Sequence, residues 1–281
     1  MIRIHLLGSA AGGGLPQWNC ACANCAAART RTIEPQTQSS IAISADSDEF
    51  QGWWLINASP DLAAQIEYTP ALHPRTAPRS TPIDGVLLTN ADIDHVFGLF
   101  LLRQQEKPLV VYAGDETRAA LGWLDYILAQ FCGIEWRKIS ADFQSLNGGI
   151  SFRAIQLPHS TAFQFRDNLS GTIALVAPSV AIVTRELHDA IHSSNVLIFD
   201  GTFWSDGELA AVRPGARSAR EMKHLPISEG SIDLLRQSAA SRKIYTHINN
   251  TNPILMPDSP ERAQLRQAGI DIARDGLEIV L

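Results

Sequence analysis

Asn90, Asp92, Asp94 and His95 place four oxygen or nitrogen donors within six residues. Just before them, Val86, Leu87 and Leu88 read as a short buried strand. Just after them, Val96, Phe97 and Leu99 to Leu102 form a helix-compatible apolar run. Donors held between a buried strand and a helix are how an α/β enzyme presents a metal at the carboxyl edge of a sheet. The same residue types also make turns and helix caps in a solvated loop, so the stretch alone leaves both readings open.

A second donor cluster is Cys20-Ala-Cys22-Ala-Asn-Cys25. Three thiolates at this spacing can converge on one tetrahedral ion, zinc by preference, with a fourth ligand from elsewhere in the chain. Such a set leaves no open position and reads as structural; a redox thiol cluster is the alternative. Cys132, among Phe131, Ile134 and Trp136, reads as an apolar core residue.

Three more donors are expected at strand ends. Ile150–Leu157 runs into His159, Asn195–Asp200 ends in a carboxylate before Gly201, and Lys243–Ile248 carries His247 at its tip. His188 and His192 are four apart on an expected helix over 186–194, with no third ligand nearby, and read as surface residues. His73 lies in a proline-rich stretch, 69–82, expected to be an exposed loop. Residues 205–230 are polar and suggest a lid or substrate loop. Within it Arg217, Arg220, Lys223 and His224 are either anion contacts or part of a solvated charged loop.

The elements that must position these groups alternate between β and α. Strands are expected at 2–7, 39–44, 52–57 and 108–112, the second and third joined by an acidic turn at Asp46–Glu49, and 171–177 and 180–184 are two further apolar runs split by Pro178-Ser179. Gly8–Gly14 lacks the Lys-Ser/Thr of a phosphate-binding loop and reads as a tight turn passing close to a ligand or neighbouring loop. Ser59-Pro60-Asp61 starts one helix, Glu116–Phe131 has helical spacing, 232–238 is helical, and Ser259-Pro-Glu opens a last helix before short strands over 270–281.

Composition narrows the function classes. The 281 residues are enough to bury a sizeable core, and 45% hydrophobic with 19% charged residues is ordinary for a soluble globular protein. A net charge of −6 without a Lys/Arg cluster argues against a nucleic-acid partner. No apolar run is long enough to span a membrane, and the first residues enter a strand pattern rather than a signal peptide, which makes the cytoplasm the expected location.

Taken together, Asn90 to His95, His159, Asp200 and His247, in this order, resemble the metallo-β-lactamase superfamily. The resemblance implies one α/β domain over 1–281, an αββα sandwich of two mixed sheets flanked by helices. Where that superfamily carries H-x-H-x-D-H, this chain reads Asn90-Ala-Asp92-Ile-Asp94-His95. A closer likeness is to a family of pyrroloquinoline quinone (PQQ) biosynthesis proteins. It is carried by 12–25, 55–61, 89–95, 199–204, 219–225 and His247-Ile-Asn-Asn-Thr-Asn-Pro-Ile254, with the chain expected to be shorter than that family around 158–171.

Carried across residue by residue, the resemblance implies one weakened metal position at Asn90, Asp92 and His159. A second would keep Asp94, His95 and His247, with Asp200 alongside. Two histidines with carboxylates suit Fe(II) with open positions as well as Zn²⁺. The activity implied is iron-dependent hydroxylation of the tyrosine ring of a Glu-Tyr-derived PQQ precursor. In that reading Asp94, His95, Asp200 and His247 bind the active-site metal, and Asp92, His159 and Asn90 assist. Arg217, Arg220 or His224 would meet substrate carboxylates. The rivals are hydrolysis by metal-activated hydroxide and a non-catalytic carrier for PQQ or its precursor. The fourth ligand of the cysteine zinc is Asn250, a water or His247. Partners implied are the small precursor, other enzymes of the pathway and a second copy in a homodimer, with no nucleic acid and no membrane.

Overall fold

The computed structural model describes residues 1–45, 52–75, 78–147 and 149–281; the acidic turn expected at Asp46–Glu49 lies outside them. The first sheet takes β1 (Ile2–Gly8), β2 (Ser40–Ala45), β3 (Trp53–Ile56), β4 (Ile83–Leu87), β5 (Leu109–Ala113) and β6 (Ile134–Lys138). The second takes β7 (Gln144–Asn147), β8 (Ile150–Leu157), β9 (Ser160–Asp167), β10 (Ile173–Ala177), β11 (Val196–Asp200), β12 (Arg242–Thr246) and β13 (Asp271–Ile272). Last in the chain, β14 (Leu277–Val280) returns to the first sheet beside β1. Strand order is β14-β1-β2-β3-β4-β5-β6 and β13-β12-β11-β10-β9-β8-β7. Each sheet is antiparallel on one side and parallel on the other, β3 to β6 and β10 to β13 being the parallel halves.

The period-2 alternation of the strands builds three apolar layers. Ile2, Ile4, Leu6, Ile41, Ile43 and Trp54 face Phe152, Phe163, Phe165, Val196 and Ile198 between the sheets. On the other face of the first sheet, Leu55, Val86 and Val111 pack against Leu62, Leu99, Leu124 and Leu128. On the other face of the second, Leu175, Leu197 and Phe199 pack against Leu187, Leu235 and Leu265. Fully buried side chains of this size contribute roughly 1.5–3 kcal/mol each, so the sheet pair is a stiff base for whatever sits at its rim. This is the expected αββα sandwich. Because β4, β11 and β12 lie within parallel runs, their carboxyl ends carry the chemistry-bearing residues to one edge.

Several local expectations differ from the structure. The run after His95 forms one α-turn, Ile93–Val96, and then a 3₁₀ helix, Phe97–Gln104. The cause is the neighbouring loop: Ala58 N donates to His95 O at 2.7 Å and Gly98 N to Ala58 O at 2.8 Å, diverting bonds an α-helix would use. A Cβ on Gly98 would lie 2.5 Å from Ser59 O, so glycine is required for this approach. The helix expected over 116–131 is two, Asp115–Ala120 and Gly122–Leu128, broken at Leu121 before a glycine. Helix Leu62–Glu67 starts three residues after Ser59, whose Oγ accepts from Asp61 N. Of the two apolar runs at 171–177 and 180–184, the first contains β10 and the second is irregular, Val180 being drawn to Asp200 and Leu225. His73 is not a solvated loop residue; its Nε2 donates to Ile66 O and Glu67 O at the end of helix Leu62–Glu67. Cys132 is half-buried against the outer layer of the first sheet. No helix among the described residues is long and apolar enough to cross a membrane.

Candidate metal centre

The centre is built from the ends of β4 and β12. Beyond β4, Thr89 N and Oγ1 both donate to Asn57 Oδ1, at 3.0 and 3.1 Å. Asn57 holds that position from a positive φ of 60° at the end of β3. Asn90 Nδ2 donates to Asp92 Oδ2 at 2.7 Å while Asn90 Oδ1 accepts from Asp92 N at 3.1 Å, which fixes the orientation of its amide. The same Oδ1 accepts from His95 Nδ1 at 2.6 Å. His95 therefore carries its hydrogen on Nδ1, and its Nε2 is a bare lone pair, buried and without a hydrogen-bond partner. A neutral imidazole with one nitrogen oriented and the other unsatisfied is the form that binds a metal.

At the end of β12, His247 sits at φ 56° with Nδ1 on Thr202 Oγ1 at 2.8 Å. That hydroxyl already donates to Asp200 Oδ1 at 2.6 Å, so it accepts from His247. His247 Nε2 is thus aimed at Asp94 Oδ2, 3.2 Å away, and His95 Nε2 is 3.8 Å from the same oxygen. Two imidazole lone pairs facing one carboxylate require a cation between them, a proton or a metal ion. The titration shifts follow from the same geometry. Burial holds the His95 imidazole below its ordinary value, against the pull of the Asp94 charge. Burial would also lower His247, but the Asp94 hydrogen bond and the charges of Asp94, Asp200 and Asp92 raise it. Burial opposes ionisation of Asp94, yet His95 and His247 hold its carboxyl well below the usual range. The donor set fits a metal ion.

Asp200, Thr202 and His224 form the adjoining wall. Asp200 is fully buried, and its two oxygens accept from Thr202 N and Oγ1, Val180 N and His224 Nδ1 at 2.6 to 3.0 Å. Burial opposes its charge, but the charge and hydrogen bond of His224 keep its carboxyl below the ordinary value. With four donors on it, Asp200 orients His224 directly and His247 through Thr202. Donor atoms of Asp200, His224 and His247 also lie within 4.8 Å of one another, so a second ion there would have to compete with those hydrogen bonds. His224, expected as an anion contact, is thus a member of the cluster, its ring stacked on His247 at 5.4 Å. The signal for it in the sequence is indirect: a buried strand-end aspartate needs a donor. The glycine loop closes another side, with the position of a Gly12 Cβ only 3.3 Å from Asp94 Oδ2, the close passage expected of Gly8–Gly14.

His159 does not join the cluster. It occupies the two-residue turn between β8 and β9, exposed and at φ 71°. It lines a cleft of about 170 Å³ that also takes in Asn90, Asp92, Glu116 and Lys223. Arg217 is exposed and outside this cleft, and Arg220 is paired with Glu229 at 3.1 Å. From the loop over 205–230 the structure brings His224 into the cluster and Lys223 to the exposed rim of the cleft instead.

At the cysteine cluster the three sulfurs are brought together by helix Ala23–Arg29 and the turn before it. The Asn250 amide lies 3.2, 3.6 and 3.3 Å from Cys20, Cys22 and Cys25 Sγ. A tetrahedral zinc with Zn–S about 2.3 Å and Zn–O about 2.0 Å would put its fourth donor about 3.5 Å from each sulfur. The Asn250 amide lies at about that distance from all three sulfurs, and turning it end for end would present its oxygen to them. His247 is committed to the other cluster. Burial pushes the Cys25 thiol up to about 11. Burial works in the same direction on Cys20, but hydrogen bonds from Cys22, Cys25 and Asn250 bring it below its ordinary value.

Comparison with known proteins agrees with this architecture. A family described as a beta-lactamase superfamily domain matches residues 52–248. Coenzyme PQQ synthesis protein B of Cupriavidus necator is 41% identical over 309 aligned residues, covering all of both chains. That alignment is longer than the 281 residues here, so the relative carries residues this chain lacks. The crystal structure of Zn²⁺-bound PqqB from Methylobacterium extorquens is 34% identical with a TM-score of 0.91, covering 99% of this chain and 100% of that one. A diphosphatase of the PhnP family shares the fold alone, at 18% identity and a TM-score of 0.74 over 99% and 96% of the two chains. The two sheets, the donors at their common rim and the full-length identity lead to one conclusion: the chain belongs to the coenzyme PQQ synthesis protein B (PqqB) family of the beta-lactamase superfamily.

Proposed function

We propose that this PQQ biosynthesis protein is an iron-dependent oxygenase that hydroxylates the tyrosine ring of a Glu-Tyr-derived precursor. The observation that supports the reading best is the trio of Asp94 Oδ2, His95 Nε2 and His247 Nε2 within 4.8 Å of one another, both histidines holding their hydrogen on the other nitrogen. Two histidines and one carboxylate on one side of an ion are the ligand set of non-haem Fe(II) oxygenases. Bound there with positions left open, iron would supply reactivity toward dioxygen. In the overall change a ring C–H becomes C–OH, the second oxygen atom leaves as water, and a two-electron reductant and two protons are consumed.

The chain's own groups do the rest. Asn90 and Thr202 fix the tautomers of His95 and His247. His224, held through Nδ1 by Asp200, keeps its Nε2 to take or return the phenol proton. The cysteine cluster with Asn250 holds zinc as a structural ion in this reading. A second reading, hydrolysis by metal-activated hydroxide, is favoured by the Asp200, His224 and His247 grouping, which places a second donor set against the first.

The test is anaerobic reconstitution with Fe(II), followed by addition of precursor, a two-electron reductant and isotope-labelled dioxygen. The expected product carries one labelled oxygen on the ring. Turnover with zinc alone in the absence of dioxygen overturns the oxygenase reading in favour of hydrolysis. Precursor or PQQ binding that survives His95→Ala, with no turnover by the parent protein under any of these conditions, favours a carrier.

A further inference from the structure

The cleft beside the metal centre carries charges of both signs. Asn90 and Asp92 form one wall, and Asn90, which turns His95 through Nδ1, links the cleft to the centre. Glu116 comes from helix Asp115–Ala120, His159 from the β8–β9 turn and Lys223 from the loop beside His224. Neither Glu116 nor Lys223 has a side-chain hydrogen bond or ion pair among the described residues. Asp92, by contrast, is held by Asn90 Nδ2.

Two of the lining residues come at a conformational cost. Lys223 has φ 67° and His159 φ 71°, a region that glycine enters freely and other residues avoid. Such residues tend to cluster at functional sites, and of the five non-glycine residues with positive φ among the described residues, two line this cleft. Here two strained residues from different elements converge on one cleft.

We propose that this cleft receives an α-amino-acid end of the substrate, the ammonium against Asp92 and Glu116 and the carboxylate on Lys223. These charged residues are exposed at the mouth of the cleft; a ligand of a single sign would meet only Glu116 or only Lys223, whereas a zwitterion meets both. The volume of about 170 Å³ suits such an end group and is below the 300–1,000 Å³ typical of sites that enclose a whole ligand. The ring to be oxidised would then extend from the cleft toward His95. The assignment rests on the reading of the substrate as amino-acid-derived, but its test does not depend on turnover.

The experiment is calorimetric titration of the zinc-loaded protein with L-glutamate, N-acetyl-L-glutamate and the α-amide of glutamate. Blocking the amine or the α-carboxylate is expected to weaken binding roughly tenfold each, the scale of one lost charged hydrogen bond. Lys223→Met is expected to weaken L-glutamate roughly tenfold while levelling the difference between L-glutamate and its α-amide. Glu116→Gln is expected to reduce the penalty for N-acetylation. Undetectable L-glutamate binding, equal binding of the blocked forms, or unchanged affinity in both variants overturns the proposal. If these binding results hold and the iron-loaded protein still shows no oxygenation, the oxygenase reading fails and the cleft assignment stands.

Discussion

Asn90 Oδ1 accepts a hydrogen bond from His95 Nδ1 at 2.6 Å, so the residue standing where the superfamily motif begins with histidine orients the one motif histidine that remains. Asn90→Ala removes that acceptor and leaves His95 with only the longer contact to Thr89 Oγ1 at 3.3 Å. Loss of a hydrogen bond that orients a metal-binding histidine costs roughly 10–100-fold in metal affinity, and that loss is expected here. Competition with a chelator of known affinity measures it. Wild-type affinity in Asn90→Ala would mean that the Thr89 contact suffices to orient His95.

The two donor groupings that share His247 make different predictions. If the ion lies among Asp94, His95 and His247, His95→Ala removes a ligand and His224→Ala does not. The expected outcome is loss of one bound Fe(II) equivalent in His95→Ala, with His224→Ala within about tenfold of the parent as for an orienting partner. Anaerobic equilibrium dialysis with metal analysis reads both. Equal loss in the two variants would place the ion in the shared space between Asp94 and Asp200.

Much of this centre could be read from the chain because local signals marked it. The β-branched and apolar runs before Asn90 and Asp200, and that before His247, specify buried strands, and donors at strand ends in parallel runs must share an edge. His224 was hidden because it belongs to a charged loop with no periodicity. It is drawn inward by long-range bonds, His224 Nδ1 to Asp200 Oδ2 and Leu225 N to Val180 O. The 3₁₀ conformation after His95 was hidden for a similar reason, since the contact of Gly98 with Ala58 and Ser59 is made by a segment forty residues earlier. His159 is at a strand end as expected, but the two-residue turn directs it to the cleft rather than the cluster.

The position of the Asn250 amide beside all three cysteine sulfurs leads to opposed expectations for two substitutions. An amide oxygen is a weak zinc ligand and an imidazole a good one. Asn250→His should therefore hold zinc more tightly than the parent, and Asn250→Ala more weakly, by roughly tenfold or more in each direction. Zinc release to a chromogenic chelator gives the order. If the three proteins release zinc alike, a water completes the site and Asn250 only packs over it.

Glu208 is buried against the same loop, with Oε1 accepting from Thr251 Oγ1 and Oε2 from Trp204 N, both at 2.6 Å. Burial raises its carboxyl from the ordinary 4.5 to about 7, although these hydrogen bonds act to lower it. Between those two values the folded protein binds more protons than the unfolded chain, so this group's contribution to stability falls as the pH rises. It is greatest below 4.5 and is lost by the time the pH passes 7. Denaturant unfolding between pH 5 and 8 is expected to show a downward slope that Glu208→Gln flattens. Parallel profiles for the two proteins would show that Glu208 is ionised in the folded state at pH 5.

His159 follows Pro158 in the two-residue turn, with φ 71° at a position where type II turns favour glycine or asparagine. A side chain in this region costs roughly 1–2 kcal/mol, and glycine gives back roughly 0.5–1 kcal/mol through the freedom of the unfolded chain. His159→Gly is therefore expected to stabilise the protein by roughly 0.5–1 kcal/mol, a rise of roughly 1–2 °C in the unfolding midpoint. Thermal denaturation by circular dichroism measures it. A variant less stable than its parent would show that the imidazole makes a contact in the folded protein strong enough to repay the turn. An increase would mean that the histidine is kept at the expense of stability, as at a site where the side chain itself is used.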